Sequence, residues 1–207
     1  MNPTSILMFK FGTKPNKKVE ELAGILPANG NILDLGCGAG GNSIFLAEKG
    51  FSVTCVDKDS EVISVIKQNY PNISAINKSI FDFDFPENKY DLILALNVLN
   101  FFKLRDIKTI IDNTIKSLRE NGLLYMQVFS INDPSYNKFL EIAEKTGEEN
   151  TFYSKKTQSF NHFFTKGEIS ELFSQNEILE LSEFSIKDNH LPQGKHEHSI
   201  IRTLVKK

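Results

Sequence analysis

The chain has 207 residues, 40% hydrophobic and 24% charged, with a formal net charge of -2. Such a length can bury one full core without disulfide or metal staples, and the near-neutral charge excludes a global pull towards nucleic acid or an anionic membrane. With two cysteines and no run near the roughly 20 apolar residues of a membrane span, a reducing, cytoplasmic setting is expected, as a monomer or homodimer. The apolar stretch at 6–9 is too short for the core of a signal peptide.

Taken in chain order, Asn16 is placed to cap a helix carrying Val19, Leu22, Ala23 and Leu26, which Pro27 stops. Residues 31–35 read as a strand. Glycines follow, and Ile44, Phe45 and Ala47 begin a helix ending at Gly50. A second buried strand is expected at 51–56. Asp59 or Ser60 then caps a helix bearing Val62, Val65 and Ile66, which ends before Pro71. A third strand falls at 73–76, and the apolar run 90–96 has the character of a central parallel strand covered on both faces. Leu104, Ile107, Ile110, Ile111, Ile115 and Leu118 mark a helix by their 3.6 period. Asn121-Gly122 is expected to end it, with a strand at 123–129. Strands alternating with helices predict right-handed crossovers and a doubly wound, mostly parallel sheet.

The pattern changes at 131–164, where Tyr136, Phe139, Phe152, Tyr153, Phe160, Phe163 and Phe164 recur without a steady period. So many aromatic residues argue against simple solvent exposure, and an insertion covering the active-site end of the sheet is expected. Thr165 and Glu168 have capping-box spacing before Ile169, Leu172 and Phe173, so a helix restarts there. Segments 177–184 and 199–205 predict two closing strands antiparallel to each other. One α/β domain with a seven-stranded sheet is the expected architecture.

The chemistry concentrates at Asp34-Leu35-Gly36-Cys37-Gly38-Ala39-Gly40-Gly41-Asn42, between the first strand and the helix after it. Ligands of doubly wound sheets bind at such a turn, and Asp57 at the end of the next strand is placed to accept both ribose hydroxyls of a nucleoside. Gly36, Gly38 and Gly41 also satisfy the G-x-G-x-x-G spacing of dinucleotide sites. Asp34 separates the readings: an anion two residues before the first glycine repels a pyrophosphate but favours a ligand bearing ammonium and sulfonium.

These segments resemble the class I S-adenosylmethionine-dependent methyltransferases. The resemblance rests on Asp34–Gly40 as the first motif, Val56-Asp57 as the ribose acid, 90–97 as the central strand and 118–124 as the lead into the fifth strand. It implies S-adenosylmethionine as cofactor and a Rossmann-like methyltransferase sheet with an antiparallel C-terminal strand. By similarity the loop at Gly36, Cys37 and Gly38 holds the methionine moiety, with Asp34 and Asn42 near its amino group. Asp57 holds the ribose, Lys58 lies beside the adenine, and Leu96, Asn97 and Val98 supply backbone along the transfer site. Ser79 and Ile80 fall at the adenine edge, where the family usually has an acid; Asp82 is the other position considered. A cysteine beside a helix start could be an activated nucleophile, but the glycine loop commonly uses one as a small filler.

The segment from Phe164 to Ile169, a histidine-bearing loop and an arginine in the last strand resemble the tellurite-resistance type of methyltransferase. That similarity maps a substrate-site histidine to His190 and an arginine to Arg202. His196 and His198 share a face of an extended chain, yet two histidines are too few for a closed metal site. The expected activity is methyl transfer to a small-molecule acceptor such as a thiol or metalloid. A protein or RNA methyltransferase, or a non-catalytic cofactor binder, is the alternative. A soft nucleophile would need no general base, whereas a hydroxyl or amine would, with His190 or His162 as candidates. Residues 9–15 either fold over the cofactor, with Lys14 near its carboxylate, or form a tail.

Overall fold

A computed structural model describes residues 14–190 and 194–207, with the backbone alone for 188–190 and 194–196. The expected role of 9–15 therefore lies largely outside the described residues. The chain divides into two compact units, one reaching Leu94 and including Lys116–Leu123, the other comprising Ala95–Ile115 and Leu124–Lys207.

In the first unit, Asn16 caps helix α1 (Lys17–Ala23) through its side chain, which accepts from the Lys18 N–H at 2.9 Å. Strand β1 (Asn31–Leu35) follows, then α2 (Gly41–Glu48), β2 (Ser52–Asp57), α3 (Ser60–Asn69) and β3 (Ser74–Asn77). Asp59 caps α3, accepting from the N–H groups of Glu61 and Val62. β1 pairs in parallel with β2, Asp34 opposite Cys55, and β2 pairs in parallel with β3, Asp57 opposite Asn77. Ile32, Leu33 and Leu35 are wholly buried, as are Cys55 and Val56. Strands buried on both faces give unbroken apolar runs, which is why β1 and β4 (Tyr90–Leu96) have the bounds expected from sequence.

Helix α4 (Leu104–Ser117) passes directly into strand β5 (Leu118–Phe129), five residues earlier than the sequence suggested. Asn121 adopts φ 62° inside that strand instead of terminating the helix. The Arg119 guanidinium meets Asp91 at 2.9 Å, and the Asp91 carboxylate also accepts the Asn31 N–H at 2.7 Å. Gly122 is enforced sterically: a Cβ there would lie 2.9 Å from the Arg119 carbonyl oxygen and 3.0 Å from that of Tyr90. Both obstacles are backbone. Gly122→Ala is therefore expected to lower unfolding free energy by about 2 kcal/mol, the usual cost of overpacking, measured as a shift in denaturant midpoint at constant slope.

In the second unit, the region read as an aperiodic insertion folds into helix α5 (Pro134–Ile142) and a small antiparallel sheet. Its strands are β6 (Glu144–Lys145), β7 (Thr151–Ser154) and β8 (Ser159–His162), in sequential order. Tyr136 and Phe139 of α5 meet Phe152 and Phe163 with ring centroids 5.3–6.1 Å apart, and Phe152 and Phe163 stand 6.2 Å from each other. The aromatic spacing has no single period because elements of different period share one cluster. Thr165 caps α6 (Lys166–Leu172), its hydroxyl accepting the Glu168 N–H at 3.0 Å. The Glu168 carboxylate does not close a reciprocal box; it turns to the His162 ring at 3.0 Å.

The last two strands, β9 (Glu177–His190) and β10 (Gly194–Lys206), form one long antiparallel hairpin. In their register His198 lies opposite Ile186 and Gly194 opposite His190. The seven-stranded sheet has the order β3-β2-β1-β4-β5-β10-β9, mostly parallel with the antiparallel hairpin at its end. Among the described residues no helix is long and apolar enough to cross a membrane.

Candidate functional site

The loop after β1 is shaped by its hydrogen bonds to β2. The Gly36 and Cys37 N–H groups both donate to the Val56 carbonyl, at 2.8 and 3.2 Å. The Gly38 N–H donates to Asp57 Oδ2 at 2.9 Å. Gly36, Gly38 and Gly40 have φ of 68°, 52° and 80°, a left-handed conformation that side chains resist. Gly40 is restricted twice, since a Cβ would stand 3.0 Å from Ile66 Cδ1.

Asp57 is thereby fixed as an acceptor. It is half-buried, Oδ2 engaged by Gly38 and Oδ1 by the Asp59 N–H at 2.9 Å. Each carboxylate oxygen has a second lone pair, so a vicinal diol could be received without releasing the loop. Asp34 is 2% exposed, with Oδ2 accepting the Ser43 hydroxyl at 2.6 Å. Burial pushes its carboxyl up to about 6, the Ser43 hydrogen bonds oppose the rise, and the negative charge of Asp57 adds to it. Two carboxylates that repel each other beside a glycine loop favour a cation and oppose a diphosphate.

Cys37 is no activated nucleophile. Its thiol is pushed well above the usual range by its hydrogen bond to Cys55, by burial, and by the charges of Asp34 and Asp57. Asn42, in the first turn of α2, accepts the Asn16 N–H on its Oδ1 at 2.8 Å and so ties the start of α1 to the loop. Lys58 is exposed beyond β2. The Ser79 hydroxyl accepts the Phe81 N–H at 3.3 Å, capping a 3-10 turn at Ile80–Asp82. Ile80 is 3% exposed and belongs to the core, while Asp82 is exposed. Ser43 escaped the sequence reading, and Asp59, read there only as a helix cap, also holds the Asp57 carboxylate through its N–H.

In the second unit, Leu96 ends β4 and Asn97 follows with φ 55°. The Asn97 N–H donates to the Gln127 carbonyl at 2.8 Å, whereas its buried Oδ1 has no hydrogen-bond partner among the described residues. The Arg202 guanidinium lies over the Phe184 ring at 4.6 Å and faces Glu180 at 3.6 Å. His190 belongs to β9, with its side chain outside the described residues. The structure does not hold His162 ready for proton exchange: the ring is 1% exposed, with Nδ1 at 2.8 Å from Thr151 Oγ1 and Nε2 at 3.0 Å from Glu168. It ties β7, β8 and α6 together. His198, unassigned by the sequence beyond the weak metal reading, has Nδ1 2.9 Å from Asp133.

Against known proteins, residues 10–178 match the profile of a family described as a methyltransferase domain. The chain is 34% identical over 113 residues to YqeM of Bacillus subtilis, covering 51% of this chain and 44% of that protein. It is 25% identical over 151 residues to the ubiquinone biosynthesis O-methyltransferase of Rickettsia akari, covering 71% and 58%. The chain thus spans about half the length of these curated relatives. Among solved structures, TehB of Haemophilus influenzae superposes with a TM-score of 0.72 at 22% identity, over 99% of this chain and 67% of that one. That likeness is one of fold.

Proposed function

Since the chain belongs to the methyltransferase-domain family, whose cofactor is S-adenosylmethionine, we propose that it transfers a methyl group from that cofactor to a small-molecule acceptor. The observation that carries this reading is the doubly anchored Asp57 carboxylate at the glycine loop, with buried Asp34 behind it. Asp57 receives the ribose hydroxyls. The narrow loop at Gly36, Cys37 and Gly38 admits the methionine portion, and the negative charge of the acidic pair favours its ammonium over a pyrophosphate. The Ser79 hydroxyl stands at the adenine edge.

When bound, the cofactor supplies an already activated methyl group. The protein's part is to bind, orient and dehydrate the reactants. A net charge of -2 gives no general attraction to RNA, and the ubiquinone O-methyltransferase relative is named for a small-molecule pathway.

Calorimetric titration with S-adenosylhomocysteine and, separately, NAD tests the reading. Micromolar or tighter binding of the first and none of the second is expected. Preference for NAD would return the glycine loop to the dinucleotide reading and end the methyl-transfer proposal.

A further inference from the structure

Ser43 is wholly buried in the first turn of α2, and its hydroxyl donates to Asp34 Oδ2 at 2.6 Å. The Ser43 N–H meets the same carboxylate. Gly40, which precedes α2, makes no side-chain cap, so the helix takes an acceptor from β1 instead. The unsatisfied N–H groups and the positive pole of a helix both favour an anion at that place.

Much else opposes a charge on Asp34. It is 2% exposed, and burial together with the repulsion of Asp57 raises its carboxyl to about 6. Cys55 stands opposite it in register on β2, and Cys37 lies in the loop beside it. On the other side of β1, β4 contributes Leu92, Ile93 and Leu94, all buried. None of these residues is a cation. What lowers the carboxyl against burial and repulsion is Ser43, through its hydroxyl and its N–H.

We propose that Ser43 is a positioning residue for cofactor uptake: its hydroxyl keeps Asp34 in the ionised form that receives the ligand's ammonium, and so sets the pH range over which the glycine loop takes the cofactor. The proposal rests on the methyl-transfer reading above and deepens it at the same site. Ser43 has no exposed surface, so it touches no ligand and acts only through Asp34. A protonated Asp34 offers an ammonium no charge, whereas the carboxylate gives a charge-assisted attraction.

The size of the effect follows from the bond. A hydrogen bond to a charged acceptor is worth roughly tenfold to a hundredfold in an ionisation equilibrium. Without the hydroxyl, Asp34 therefore keeps its proton to a pH higher by about one to two units. A serine that only filled space or only capped α2 would behave differently, weakening binding by the same factor at every pH.

Two measurements test it, the first in the empty protein. In protein carrying ¹³C-aspartate, the Asp34 carboxyl signal is assigned by its loss in Asp34→Asn. Its titration is expected to move up by about one pH unit or more in Ser43→Ala. The second is the affinity for S-adenosylhomocysteine by calorimetry across pH. Ser43→Ala should bind roughly three- to thirtyfold more weakly than the parent at pH 6.5 and within about threefold of it at pH 8.5. Added to Asp34→Asn, which has no carboxyl to titrate there, Ser43→Ala should leave the pH dependence of binding unchanged.

Identical Asp34 titrations in the parent and Ser43→Ala overturn the proposal. So does a loss of affinity by one factor at both pH values, or a pH-dependent loss that persists in the Asp34→Asn background. Should the alanine variant not fold, Ser43→Cys, with a weaker donor in nearly the same volume, is read in the same way. Absence of S-adenosylhomocysteine binding in the parent is a different result. It removes the methyl-transfer reading itself, while the titration of the empty protein still reports whether Ser43 governs Asp34.

Discussion

Asp57→Ala is expected to weaken S-adenosylhomocysteine binding at least roughly 100-fold, because two hydrogen bonds to a charged acceptor are each worth about 1.5–3 kcal/mol when a ligand gains them. The parent carboxylate is preorganised by the Gly38 and Asp59 N–H groups at 2.9 Å each, so little ordering accompanies binding. Alanine removes the ligand's acceptor and leaves both of those N–H groups without their partner. Asp57→Asn separates the two consequences. Its amide can accept from one N–H while presenting a donor to the other, so it should bind more weakly than the parent and disturb the loop less than alanine. Calorimetry gives the affinities and denaturant titration the stability. An alanine variant that binds within threefold of the parent would show that the ribose is held elsewhere.

The same substitution reaches Asp34. The charge of Asp57 is one cause of the raised Asp34 carboxyl, so its removal should bring Asp34 back towards the ordinary range. The two acids thus behave as a pair through their electrostatics, although Asp34 hydrogen-bonds to Ser43 and Asp57 to the loop backbone.

What the sequence disclosed was local. Asn16, Asp59 and Thr165 read as caps because a cap and its N–H partner lie two or three residues apart. The bounds of β1 and β4 were legible because a buried parallel strand is an apolar run with polar or glycine punctuation. The glycine loop and Asp57 were legible because a fixed crossover separates them. Asn121-Gly122 misled, since the same dipeptide serves a helix end and a left-handed bend inside a strand; here Asn121 bends β5. The pairing of Asp133 with His198 was invisible for a different reason. The Asp-Pro-Ser start of α5 announces a cap, but nothing local says that its second oxygen meets a ring 65 residues away. Glu168 has capping-box spacing, and only the folded chain shows its carboxylate spent on His162. Long-range polar pairs are set by topology, and composition carries no trace of them.

Asp34 makes the folded protein less stable as pH rises from about 4 to about 6. Its carboxyl has an ordinary value of 3.8 and is pushed up to about 6 in the fold, chiefly by burial. Between those values the native state holds a proton that the unfolded chain has released. The contribution is therefore fully present below the unfolded value and lost as pH climbs through the folded one. Two units correspond to about 3 kcal/mol, and this dependence should be missing from Asp34→Asn, whose amide oxygen can still accept the Ser43 hydroxyl. The asparagine variant is expected to match the parent near pH 4 and exceed it by about 3 kcal/mol at pH 8, measured by urea unfolding across that range. Equal pH profiles for the two proteins would place the titration elsewhere. A ligand ammonium held by the acidic pair would favour the ionised form, so binding S-adenosylhomocysteine at pH 5.5 should release a proton. Calorimetry in two buffers of different ionisation enthalpy reads that proton directly, and Asp34→Asn should abolish it while binding the ligand more weakly. The charge that destabilises the empty fold at neutral pH is then the charge that selects a cationic ligand over a phosphate.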